Sequence, residues 1–298
     1  MNSSFALALC QPGTERWLKA EIARIRPDLH PGFQRPGVLT FKATRCAFRP
    51  DETVDSVFAR IWACSAGLQE EEILSLAGRL KTRWMMVGYR DLGIPGEIPP
   101  ALQDRAEEHN QQLQKKLEKA GLSTGTPPEG ALVLDVISHP HEPTLLGWHR
   151  QDPGRHREAC GRYSFSLPEH LPSRAYQKIR EGLLWKQVPF QPGEQLLEIG
   201  SAPGGGTLAF LERGLKVLAV DTQPMDPAIL AMPQVSWMQR SIGDVALPTI
   251  SEVRWLACDA GLAPSQLLPA FKRLLPAIPH LKGLIWTLKL NDDGVVAS

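Results

Sequence analysis

Nowhere in the 298 residues is there an uncharged apolar run of about 18 residues, so no membrane-spanning helix is expected. The opening stretch, MNSSFALALCQPGTERW, lacks the basic start and the apolar core of a secretory signal. Charge of neither sign is in excess. The 33 Lys and Arg against 32 Asp and Glu leave a net +1, which excludes a bulk polycation but permits a local basic patch. Cysteine is sparse and scattered: Cys10, Cys46, Cys64, Cys160 and Cys258 form no CxxC and no even framework. A reduced, cytoplasmic setting without a structural metal is expected from that usage. No repeat of fixed period and no low-complexity tract is present, and the prolines fall between periodic segments as punctuation.

What is there suits a folded chain. Hydrophobic residues make up 43% of it, enough for real cores, and the length suggests about two domains. Residues 1–68 read as a small α+β unit, with strands at Phe5–Cys10 and Gly37–Ala43. Helices are expected at Gly13–Arg26 and at Asp55–Cys64, where Val57, Phe58, Ile61 and Trp62 share one helical face. Residues 69–150 read as a second α+β unit. Its strands are Trp84–Tyr89, Ala131–Ile137 and Thr144–Trp148, and a polar helix over Pro99–Ala120 is stopped by Gly121. The mixed charges of that helix suit a solvated face better than a face toward RNA.

Residues 151–181 connect this front half to the rest. From Arg150 to Arg180 there are seven Lys and Arg but three acids, a net +4 in a chain of net +1. Phosphate contact and a plain solvated linker both account for it.

Residues 182–298 alternate strands and helices. LLEIG, KVLAVD, VRWLACD and GLIWTLKL are nearly continuous apolar runs, the pattern of strands buried on both faces of a parallel sheet. A doubly wound α/β domain follows, with its ligand expected at the carboxyl ends of the strands.

The stretch Leu196–Asp221 carries the chemistry. A strand ends at Gly200, the small-residue loop Ser201-Ala202-Pro203-Gly204-Gly205-Gly206 follows, and a helix begins. Glycines let a ligand approach the backbone, and a helix start offers unpaired N–H groups. The next strand ends in Asp221, where a carboxylate can accept both hydroxyls of a ribose. The loop is neither GxGxxG nor a lysine-bearing P-loop, so pyrophosphate and triphosphate fit poorly. A ligand with a ribose and no phosphate, S-adenosylmethionine, fits better.

At this point the text resembles the FtsJ-type ribose 2′-O-methyltransferases, whose loop reads GxxPGG and whose catalytic tetrad is Lys-Asp-Lys-Glu. Ser173-Arg174-Ala175-Tyr176-Gln177-Lys178 matches the motif of the first lysine, Asp259 the aspartate ending strand four, and Lys289 the second lysine ending strand five. The N-terminal half narrows the likeness to the RlmM family, which methylates a cytidine ribose in large-subunit ribosomal RNA. That resemblance implies a Rossmann-like class I methyltransferase sheet, shortened at its C-terminal end and preceded by ferredoxin-like and THUMP-like units. It implies catalysis by Lys178, Asp259 and Lys289. It implies donor binding by Ser173, Gly200, Ala202, Pro203, Gly204, Gly205, Asp221 and Asp259, with Ser241 or Asp244 on the adenine side. Ribosomal RNA is the implied partner, and Arg150, Arg155, Arg157, Arg162 and Arg174 its contacts.

The physical rationale for the triad is direct. A ribose hydroxyl is a poor nucleophile until it loses its proton. Two lysines converging on one site lower each other's pKa, and an aspartate between them fixes orientation. Taken singly, Lys178 suits any amphipathic helix, Asp259 a helix cap and Lys289 a strand-end lysine reaching for water. The resemblance also implies a glutamate on a later strand, and the sequence stops at Ser298. The final strand is expected at the edge of a sheet ordered 3-2-1-4-5, leaving the polypeptide prone to self-association and weak in methylation. An RNA-binding family member without catalysis and a small-molecule methyltransferase remain as alternatives.

Overall fold

The computed structural model describes residues 1–68, 70–89, 98–152, 158–161, 163 and 167–287. The sequence-predicted sites Arg155, Arg157, Arg162 and Lys289 lie outside the described residues. The chain divides into two compact units, Met1–Tyr163 and Ser164–Ser298.

The first unit is built from β1 (Phe5–Cys10), α1 (Glu15–Ile25), β2 (Leu29–Arg35), β3 (Val38–Ala43), β4 (Ala59–Gly67), α2 (Ile73–Leu80), β5 (Trp84–Tyr89), α3 (Pro100–Lys119), β6 (Leu132–Ser138) and β7 (Leu145–Arg150). One seven-stranded sheet runs through it in the order β2-β3-β1-β4-β7-β6-β5. The sheet crosses the division expected at residue 68, because β4 pairs antiparallel with both β1 and β7.

The expected helix at Asp55–Cys64 is corrected: its second half is β4. Trp62 and Cys64 enter the core on one face, while Ala63 enters the core on the other. A strand covered on both faces loses its polar alternation, and its apolar run then mimics helical spacing. Strand β2 and helix α2 were not anticipated. Strand β2 carries Pro31 and Gly32, which an edge strand tolerates, and its register shifts between Pro31 and Gln34.

The second unit contains α4 (Ala175–Lys186), β8 (Gln195–Ile199), α5 (Gly205–Leu211), β9 (Lys216–Asp221), α6 (Pro227–Leu230), β10 (Val235–Gln239), β11 (Val253–Cys258), α7 (Pro264–Leu274) and β12 (Gly283–Trp286). Its five strands are ordered β10-β9-β8-β11-β12, the expected 3-2-1-4-5, and every neighbouring pair is parallel. Alternate residues enter opposite layers. Leu196, Val217, Ala219, Trp255 and Ala257 pack with Tyr176, Ile179 and Leu183 of α4 and Phe210 of α5. Leu197, Ile199, Leu218, Val220, Leu256 and Cys258 pack with Leu267, Phe271 and Leu274 of α7. This two-sided burial explains the continuous apolar runs and gives a Rossmann-like α/β domain. No helix among the described residues is long and apolar enough to cross a membrane.

Candidate active site

The parallel sheet aims its functional side chains at one end. Strands β8, β9 and β11 finish side by side, and their carboxyl ends open into a cleft of about 370 Å³. That volume lies within the range of small-molecule sites. Gly200, Ala202, Asp221, Ser241 and Asp259 line it, together with Thr222, Arg240 and Ile242.

The loop after β8 is shaped by close approach. Gly200 has φ +76°, and a Cβ there would land on the backbone of Ala260, so the loop after β11 closes directly against it. Asp221 ties the loop from the other side. Its Oδ2 accepts from the Ala202 N–H at 3.0 Å, and its Oδ1 accepts from the Gln223 N–H at 2.9 Å. Ser201 Oγ, on the same loop, is buried without a hydrogen-bond partner.

The two described members of the expected catalytic triad meet. Lys178 Nζ, on α4, donates to Asp259 Oδ1 at 2.9 Å and to Oδ2 at 2.8 Å. The carboxylate is buried, with its side chain 8% exposed, while the lysine side chain is 47% exposed. Asp259 is therefore engaged across the sheet face, and α7 starts only at Pro264.

Other expected residues fall around the cleft. Pro203 and Gly204 complete the turn, and Ser173 packs against Gly205, where a Cβ would land on its hydroxyl. Ser241 is in the cleft wall and also accepts from the Gly243 N–H at 3.3 Å, whereas Asp244 is solvent-exposed and absent from that wall. Arg174 is exposed at the start of α4. In the first unit, Arg150 donates through Nη1 to the Gly130 carbonyl at 2.5 Å.

Two residues escaped the sequence reading. Arg240 enters the cleft wall from the end of β10. Glu198 is 2% exposed in the central strand, with the Thr207 hydroxyl donating to its Oε2 at 2.5 Å. Burial pushes its carboxyl up to about 8. The Thr207 hydrogen bond opposes the rise, and the charges of Asp259 and Asp221 add to it. The available signal was an acid inside an apolar run that reads as buried on both faces.

This site suits S-adenosylmethionine. The cleft has the volume, and Gly200, Ala202, Asp221 and Asp259 line it at the carboxyl ends of the strands.

No family model matches the chain. Among curated relatives, the ribosomal RNA large subunit methyltransferase M of Halorhodospira halophila is 40% identical over 97 residues, which is 31% of this chain and 28% of that one. Its counterpart in Chromohalobacter salexigens is 32% identical over 149 residues, covering 46% and 40% of the two chains. The Colwellia psychrerythraea protein is 28% identical over 188 residues, covering 60% of this chain and 50% of that one. The chain spans half or less of the length of these three relatives. By sequence, it is a relative of the ribosomal RNA large subunit methyltransferase M family, the RlmM family that its motifs resemble.

Proposed function

We propose that this chain binds S-adenosylmethionine at the carboxyl ends of β8, β9 and β11 and methylates a ribose 2′-hydroxyl of large-subunit ribosomal RNA, at a cytidine. The observation that carries the reading is the Lys178–Asp259 pair beside the cleft that Asp221 lines. A binding loop alone would account for any donor-dependent methyltransferase. An acid holding a lysine by both oxygens at the strand end adds a device for an acceptor hydroxyl. The names of the curated relatives support ribosomal RNA as that acceptor.

The donor, when bound, supplies the electrophilic methyl group; the protein supplies positioning and proton handling. Asp221 accepts from the ribose hydroxyls, and Gly200 and Ala202 of the turn line the cleft beside it. Asp259 fixes the Lys178 ammonium through two hydrogen bonds, which leaves an N–H of Lys178 to orient the acceptor hydroxyl. Lys289 is proposed as the base that takes the hydroxyl proton. The ferredoxin-like and THUMP-like character of the front unit is part of the same proposal. So is phosphate contact by Arg150, Arg155, Arg157, Arg162 and Arg174.

The test is methyl transfer from labelled donor to unmodified ribosomal RNA, followed by alkaline hydrolysis. A 2′-O-methyl group removes the internal nucleophile, so the label is expected in an alkali-resistant dinucleotide. Label on a base, or transfer to metabolites and not to RNA, would overturn the proposal. Donor binding without any transfer would favour an RNA-binding family member that has lost catalysis.

A further inference from the structure

Glu198 takes no part in the steps above, yet it occupies the centre of the sheet beneath them. It is level with Ala219 of β9 and Ala257 of β11 in the parallel register. Side chains alternate along a strand, so Asp221 and Asp259, each two residues further on, stand on the same face, one to either side. Helix α5 closes over that face with the Thr207 hydroxyl and with Gly206, where a Cβ would land on Glu198 Oε1. Helix α4 contributes Ile179 and the Lys178 ammonium, which Asp259 holds. The charged groups facing Glu198 from the elements packed on it are therefore Asp221, Asp259 and Lys178.

Three carboxyl groups share one face, and the middle one is cut off from water. Burial and its two like-charged neighbours hold Glu198 as the neutral acid at pH 7, with its pKa raised to about 8. A neutral acid contributes little attraction for a cation, whereas its carboxylate contributes much more.

We propose that Glu198 is a proton-linked positioning residue for the methyl donor: a sulfonium cation entering the cleft drives it to ionise, and its proton leaves to solvent. The inference rests on the proposed function. Its basis is the charge balance on this face. The incoming positive charge opposes the burial and the repulsion from Asp259 and Asp221 that together keep Glu198 protonated. The O–H bond of Glu198 breaks, the electron pair stays on the carboxylate, and the proton passes to the buffer. After methyl transfer the ligand is a neutral thioether, so Glu198 recovers its proton and the site loses its preference for the bound product. One buried acid would thus favour the charged donor over the spent one.

The test is titration calorimetry of the full chain at pH 7 in two buffers of different ionisation heat, with S-adenosylmethionine and with S-adenosylhomocysteine. The two ligands differ in the methyl group and the sulfonium charge. The charged ligand is expected to release more protons, by at most about 0.9 per site, the protonated fraction of an acid titrating near 8. Its affinity should rise between pH 6 and 8, approaching tenfold per unit, with a smaller rise for the thioether. Glu198→Gln should abolish the difference, and Glu198→Asp should restore part of it. Should Glu198→Gln fail to fold, the two ligands on the unaltered chain still decide the matter. Equal proton counts for both ligands, or a difference that persists in Glu198→Gln, would overturn the inference and leave the proposed function standing. Absence of binding by either ligand would overturn both.

Discussion

Replacing Asp221 with alanine separates a donor-binding carboxylate from one that merely shapes a turn. In the structure each carboxylate oxygen accepts one backbone N–H, from Ala202 at 3.0 Å and Gln223 at 2.9 Å. Each oxygen keeps a further lone-pair direction for a ribose hydroxyl. Hydrogen bonds to a charged group contribute about 1.5–3 kcal/mol, so Asp221→Ala should weaken donor binding by about that much, roughly ten- to 150-fold. The Ala202 N–H is part-buried and would lose its partner, at a cost of about 1–3 kcal/mol in stability, whereas the exposed Gln223 N–H would turn to water. Asp221→Asn keeps one acceptor oxygen and should fall between. The assay is calorimetry with S-adenosylmethionine and S-adenosylhomocysteine, alongside thermal denaturation. Both ligands carry the ribose, so both should weaken equally. A variant that stays folded and binds both ligands within about threefold of the unaltered chain would refute the reasoning, since that is under 1 kcal/mol.

The remaining expectations concern catalysis, packing, pH and RNA. Lys178→Ala and Lys289→Ala should each lower single-turnover transfer by at least about a hundredfold with donor affinity nearly intact; transfer surviving within a factor of a few would remove the ribose mechanism. Gly200→Ala should destabilise the second unit by at least about 1 kcal/mol, because φ is +76° and the new Cβ meets the Ala260 backbone, and an unchanged melting temperature would contradict that closure. Glu198, raised from 4.5 to about 8, leaves the folded chain holding more protons than the unfolded one between those values. Stability from this group is therefore fullest below pH 4.5 and lost as pH rises through about 8, so denaturant titrations should show the unaltered chain falling relative to Glu198→Gln over that window. A parallel pH dependence in the two would refute the assignment. Replacing Arg155, Arg157 and Arg162 with alanine should flatten the salt dependence of RNA binding by about one unit for each lost phosphate contact, and an unchanged slope would remove them from the interface.

The two units were not equally open to reading from sequence, and the difference lies in how burial is distributed. In the second unit every central strand is covered on both faces, and each is bounded by turns rich in glycine and proline. KVLAVD, one of the continuous apolar runs, forms a strand over all its residues, Lys216–Asp221. In the first unit the same two-sided burial occurs in β4, but Val57 and Phe58 stand just before it, and together with Ile61 and Trp62 they fit one helical face. Only pairing with β1 and β7 decides between the periods, and pairing partners 49 and more residues away are not visible in a local window.

The site shows the same boundary between local and long-range information. Lys178 and Asp259 stand 81 positions apart, and what joined them in the sequence was a resemblance in motif order, since no spacing rule brings a helix residue onto a strand end. Asp221 needed no such help, because one βαβ unit sets its distance from the loop. Glu198 lies in strand β8 just before that loop, and a local window shows only an acid inside an apolar run. Its meaning depends on three strands being parallel and in register. Ala219 and Ala257 are level with it, and therefore Asp221 and Asp259 flank it on one face. Parallel order turns three acids scattered over about 60 residues into one electrostatic unit. The chemistry of a doubly wound sheet is set by which residues finish adjacent strands on the same face, and that follows from topology.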